Sequence, residues 1–126
     1  MHFARQYFAT CPDYENEFVY VIGGFNHEHG LLTSVEKFSY KARKWVLAES
    51  INHARINASA TKCGSKYIYL FGGLDKKEFL DSIERFNMSL DVWTTLKVKL
   101  PQKMANMFTH SINNEYIIIM GGMRKK

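Results

Sequence analysis

The dipeptide Gly-Gly occurs three times, at Gly23-Gly24, Gly72-Gly73 and Gly121-Gly122, with successive copies 49 residues apart. Each pair closes a dense apolar run: Phe18 to Ile22, Tyr67 to Phe71 and Tyr116 to Met120. Downstream, Val35-Glu36-Lys37-Phe38 returns as Ile83-Glu84-Arg85-Phe86, and Trp45 returns as Trp93, both at an offset of 48. Features recurring in one order at one period mark a duplicated supersecondary unit of about fifty residues. The units run over 1–50, 51–99 and a half copy at 100–126.

Four strands can be read in each unit. The first is rich in small residues and is expected over Ala4 to Thr10, Ala54 to Thr61 and Met104 to Ser111. The second is the apolar run; its length and its β-branched and aromatic content favour strand over helix. Apolar residues at every position require cover on both faces. The third strand is expected over Val35 to Tyr40 and Ile83 to Met88, and the fourth holds Trp45 and Trp93. Polar breakers at 12–16, Cys63-Gly64-Ser65 and Asn113-Asn114 read as first-hairpin turns. No segment sustains a 3.6-residue period, so little or no helix is expected.

This pattern resembles the kelch repeat. The likeness rests on the apolar run into Gly-Gly, the Val/Ile-Glu-x-Phe strand, the Trp about twenty residues later, and the Ala-Arg at Ala4-Arg5 and Ala54-Arg55. The third copy departs from it, with Lys103-Met104 in place of Ala-Arg. The resemblance implies an all-β fold of four-stranded antiparallel blades, packed face to face around the channel of a β-propeller. The 126 residues supply two full blades and half of a third, whereas propellers hold about four to eight. The chain is therefore expected to be a segment of a longer propeller, requiring further blades or self-association for closure. Simple head-to-tail dimers are not expected to mend the half blade, which needs third and fourth strands where the next chain offers a first.

The chain carries 17 Lys and Arg against 12 Asp and Glu. Three of the basic residues, Arg124, Lys125 and Lys126, sit together at the end, leaving the body near neutrality. That argues against nucleic acid, whose binders concentrate basic residues on one face. Cys11 and Cys63 are far apart and lack metal-knuckle spacing, which suits a reducing, cytoplasmic setting, one associated with the cytoskeleton included. The N-terminus lacks the pattern of a secretory signal, and no apolar stretch is long enough to span a membrane.

The glycine pairs are not followed by a phosphate-binding motif, so their expected role is positive φ and close backbone approach. Trp45 and Trp93 are expected to pack between blades. Glu36 and Glu84 recur by repeat, which suits one structural hydrogen bond made twice. His27 and His29 flank Glu28 in a loop but lack a clear third metal ligand. No catalytic constellation, metal site or cofactor is assigned.

The resemblance implies a non-catalytic protein–protein interaction module, with actin association and substrate capture for cullin ubiquitin ligases among the family's roles. Nothing resembles the BTB domain that accompanies the latter role. Alternatives are an enzyme, since galactose oxidase carries a kelch-type propeller, and a purely architectural subunit of a cytoskeletal or ciliary assembly. The loops after the second and fourth strands should emerge at one end. They diverge between copies: Asn26-His27-Glu28-His29 becomes Asp75-Lys76-Lys77-Glu78. Asn26, His27, His29, Arg55, Asn57, Asp75, Lys76 and Lys77 are the expected partner contacts. Asn26, Asp75 and Asn57 follow from family positions beside the glycines and the opening Arg.

Overall fold

The computed structural model describes residues 1–125; Lys126 of the third unit and basic tail lies outside the described residues. Those residues form strands, turns and loops, with no helix. The first unit contributes β1 (Ala9–Asp13), β2 (Phe18–Ile22), a small hairpin of β3 (Phe25–Asn26) and β4 (Gly30–Leu31), β5 (Val35–Ser39) and β6 (Lys44–Ala48). The second contributes β7 (Ser59–Cys63), β8 (Tyr67–Phe71), β9 (Ser82–Asn87) and β10 (Val92–Lys99). A hairpin of β11 (Ala105–Ile112) and β12 (Tyr116–Met123) follows.

Two four-stranded antiparallel sheets result, ordered β1-β2-β5-β6 and β7-β8-β9-β10, with β11-β12 as the half blade. Strand β7 lies between β1 and β11, so the first strand of each unit forms the inner wall. The apolar second strands sit inside their sheets, which explains their unbroken hydrophobicity.

β1 and β7 begin later than expected, while β11 starts within a residue of its expected position, and one backbone feature recurs in all three units. Gln6, Ile56 and Ala105 pair with Phe25, Leu74 and Met123, the residues just beyond each glycine pair. The next residues, Tyr7, Asn57 and Asn106, then turn left-handed, with φ of 59°, 53° and 56°. This interrupts each ladder like a bulge. Ala4, Arg5, Ala54 and Arg55 consequently precede the strands. Pro12, Asp13 and Cys63, expected in turns, belong to β1 and β7; the turns occupy 14–17, 64–66 and 113–115.

The seam between the full blades is the main core. Ile68, Leu70, Phe86 and Trp93 pack with Ala9, Cys11, Tyr20, Ile22, Val35 and Ile51. Phe86 stacks on Trp93 at 4.8 Å and meets the Tyr20 ring edge-on at 5.9 Å. A smaller core, around Phe71, Ile83, Leu100 and Met107, joins the second blade to the half blade.

Backbone bonds bridge the same seams. Asn57 N–H donates to the Tyr7 carbonyl, and Asn106 N–H to the Asn57 carbonyl, both at 2.9 Å. Gly24 N–H donates to the Arg55 carbonyl and Gly73 N–H to that of Met104. This close approach excludes a side chain from Gly23 and Gly72, the first glycines of the two full blades. A Cβ on Gly72 would lie 2.3 Å from the Met104 oxygen, and one on Gly23 2.8 Å from that of Arg55.

Candidate functional site

The connections after the second and fourth strands share one end, and polar contacts tie them together. His53 Nε2 lies 2.9 Å from Asp75 Oδ2, linking the loop between the blades to the Gly72-Gly73 loop. Lys103 Nζ donates to Glu78 Oε2 at 2.7 Å, tying the loop after the second blade to that same Gly72-Gly73 loop from its other side. Arg124 also donates to Gln102 at this end.

Beneath the surface lies a repeated buried ion pair. Arg55, 1% exposed, donates through Nη2 to Glu84 Oε2 at 2.8 Å and through Nη1 to the Gly72 carbonyl at 2.9 Å. Its Nε donates to the His53 carbonyl, while Glu84 accepts the backbone N–H groups of Asn52 and His53. Arg5 and Glu36 repeat the ion pair at 2.7 Å, with His2 and Phe3 donating to the carboxylate, but Arg5 Nε, unlike that of Arg55, finds no partner among the described residues. Burial pushes Glu36 upward, but the hydrogen bonds from His2, Arg5 and Phe3 outweigh it and hold the carboxyl below its usual range. Burial draws the Arg55 guanidinium below its ordinary value despite the opposing pull of Glu84. Charges so deep are tolerable only when they are paired and hydrogen-bonded to their surroundings.

Arg55 thus departs from the sequence expectation. It is enclosed by the loop and third strand, so it positions the surface from below rather than presenting itself to a partner. Asn26 and Asp75 are turn-builders. Asn26 Oδ1 accepts from His29 N–H and its Nδ2 donates to the Ala4 carbonyl. Asp75 Oδ1 accepts from the N–H groups of Lys77 and Glu78, and these bonds, followed by the His53 contact, lower its pKa to about 2. Asn57, half-buried, lies on the inner wall in the bridging backbone series. His27, His29, Lys76 and Lys77 are exposed at the loop tips.

His53 and Lys103 escaped selection from sequence. Phe3 stands where His53 does, so the repeat itself gives no signal; only their places in the loops expected to share an end could have indicated them. At the opposite end Lys62 bridges blades, its Nζ 2.7 Å from the buried Asp13. Among the described residues no three His, Cys, Asp or Glu side chains gather as a metal site. Cys11 lies at the main seam, where burial, with Asp13 adding to it, pushes its thiol to about 12.

The repeat geometry agrees with comparison to known proteins. The Kelch motif matches residues 19–51 and 59–97, more than half of the chain. The chain belongs to the kelch-repeat family, whose repeats commonly serve as protein-interaction modules. It is 30% identical over 115 residues to a RING finger domain and kelch repeat-containing protein of Dictyostelium discoideum, covering 90% of this chain and 11% of that protein. It is 31% identical over 127 residues to alpha-scruin of Limulus polyphemus, covering 94% of this chain and 13% of the relative. An N-acetylneuraminate epimerase of Vibrio cholerae is 30% identical over 86 residues, 63% of this chain and 22% of the enzyme. The chain therefore spans between 11% and 22% of these relatives' lengths. No helix among the described residues is long and apolar enough to cross a membrane.

Proposed function

We propose that this chain is a non-catalytic protein-interaction module that meets its partner through the end carrying the loops after the second and fourth strands. The supporting observation is the fastening of those loops into one surface by His53–Asp75 and Lys103–Glu78. Rigid loops bind with less ordering cost than mobile ones. Lys76, Lys77, His27 and His29 supply contacts, with Asn26 and Asp75 setting the loop shapes and Arg55 and Glu84 anchoring the base. Unpaired Cys11 and Cys63 support an intracellular setting.

The test is affinity capture with quantitative mass spectrometry, comparing wild type with a Lys76→Glu/Lys77→Glu double variant and with Lys66→Glu at the opposite end. The reading expects captured proteins to be depleted by the loop variant and retained by Lys66→Glu. The reverse pattern would refute the assigned surface. The epimerase relative favours a second reading, in which the blades carry an enzyme. N-acetylneuraminate turnover by the chain would support it.

A further inference from the structure

Both full blades hold a loop over the same buried ion pair, but the two loops are closed differently. In the second blade His53 and Asp75 span the gap, imidazole to carboxylate at 2.9 Å. By repeat their positions in the first blade are Phe3 and Asn26, and neither carries charge. A cleft of about 700 Å³ lies there, between residues 2–6 and 25–29. The repeat itself sets its wall. The His2 and Phe3 N–H groups donate to Glu36 as those of Asn52 and His53 donate to Glu84. Gln6 pairs with Phe25 as Ile56 pairs with Leu74.

The imidazoles of His2, His27 and His29 line this cleft together with the phenyl rings of Phe3 and Phe25. Phe3 meets His29 edge-on at 5.8 Å, and Phe25 meets His27 at 5.4 Å, so both loop imidazoles rest on apolar rings. Arg5 also lines the cleft; its side chain is wholly buried, and its Nε lacks the carbonyl partner that Arg55 Nε finds in His53. The carboxylates nearby are Glu36 and Glu28. Glu36 is taken up by Arg5, His2 and Phe3. Glu28 is 82% exposed at the rim and stands 3.8 Å from His29 Nε2, beyond hydrogen-bond reach. The first blade thus gathers imidazole donors and aromatic surface without the carboxylate that the second blade supplies from its own loop.

We propose that this cleft is an anchor site for an acidic side chain of a protein partner, its carboxylate meeting the imidazoles of His27 and His29 as Asp75 meets His53. An aromatic residue beside the acid packs on Phe3 and Phe25, since ring edges and faces attract one another. The inference rests on the partner surface proposed above only for the source of the carboxylate. Hydrogen bonds to a carboxylate strengthen when the donor is itself charged. Occupancy therefore rises as the pH falls through the range in which imidazoles gain a proton, about 6.5, while an ordinary Asp or Glu on the partner stays ionised.

NMR titration of the chain with two capped dipeptides, acetyl-Phe-Asp-amide and acetyl-Phe-Asn-amide, tests this. The acidic dipeptide should shift the ring signals of His27 and His29 and bind about tenfold more tightly than its amide twin. The preference should be larger at about pH 6 than at about pH 8. A His27→Gln/His29→Gln variant should lose it, and a Lys76→Glu/Lys77→Glu variant should keep it. Equal binding of the two dipeptides, shifts confined to the Lys76–Lys77 loop, or a preference that survives in the histidine variant would overturn the proposal. The comparison in the wild-type chain decides even where the histidine variant fails to fold. The dipeptides probe the cleft without a partner, so a failed capture experiment would strike the assigned surface and leave this result standing. Equal dipeptide binding would strike the cleft alone.

Discussion

Trp93 and Trp45 occupy equivalent positions in β10 and β6, each paired across its sheet with a phenylalanine. Their surroundings differ. Trp93 is 6% exposed, stacked on Phe86, and its indole N–H donates to the Glu49 carbonyl of the preceding loop at 2.9 Å. Trp45 packs on Phe38 at 5.3 Å but remains half-buried on the outer face of the first blade. The same residue in the same repeat position is thus a core residue or a surface residue according to whether a blade covers it. Within a blade, local sequence specifies the strands; burial belongs to the seam.

The largest expected contrast comes from truncating the two indoles. Trp93→Ala removes a packed aromatic core residue and should cost about 3–5 kcal/mol, whereas Trp45→Ala should cost about 1 kcal/mol. Urea denaturation of both variants measures the difference, and equal losses would break the comparison. The ion pairs sharpen it in the other direction. Glu84→Gln leaves Arg55 charged and buried without its counterion, a loss of about 3 kcal/mol. Glu36→Gln should cost a similar amount, because the Met1–Phe3 segment encloses Arg5 and Glu36 as the connecting loop encloses Arg55 and Glu84.

The glycine corners provide a third contrast. Gly72→Ala and Gly121→Ala share the strain of a left-handed Ala, about 1 kcal/mol or more. At Gly72 the Met104 carbonyl must also move, so its loss should exceed that at Gly121, with thermal melting as the readout. Smallest is the acid dependence of Asp75. Its folded pKa of about 2 lies below the ordinary 3.8, so its contribution is full above pH 3.8 and disappears as the pH falls through about 2. Asp75→Asn should flatten the stability–pH curve in that window while leaving the curve above pH 5 parallel to wild type.

Much of the blade was legible because the glycine pairs, the Ile/Val-Glu-x-Phe strands and the tryptophans report backbone geometry that every unit must repeat. The left-handed residues near the starts of the first strands were not legible as a set. Asn57 and Asn106 are residues that tolerate a left-handed backbone, but Tyr7 adopts the same φ without that local signal. In its case the inter-blade hydrogen bond decides. The shared end of the loops followed from strand alternation. The burial of Arg55 did not, because a charged residue beside a loop reads as exposed until its partner, 29 positions away in sequence, is seen beneath it. Asn26 and Asp75 were recognised as special through their place after the glycines, yet their side chains shape the turns.

Acrylamide quenching of single-tryptophan chains tests the central asymmetry most directly. Trp45→Phe leaves Trp93 as the reporter and Trp93→Phe leaves Trp45, each in the otherwise unaltered chain. The account predicts blue-shifted, weakly quenched emission from Trp93 and emission quenched several-fold more strongly from Trp45. Equal quenching of the two, or a better shielded Trp45, would contradict it.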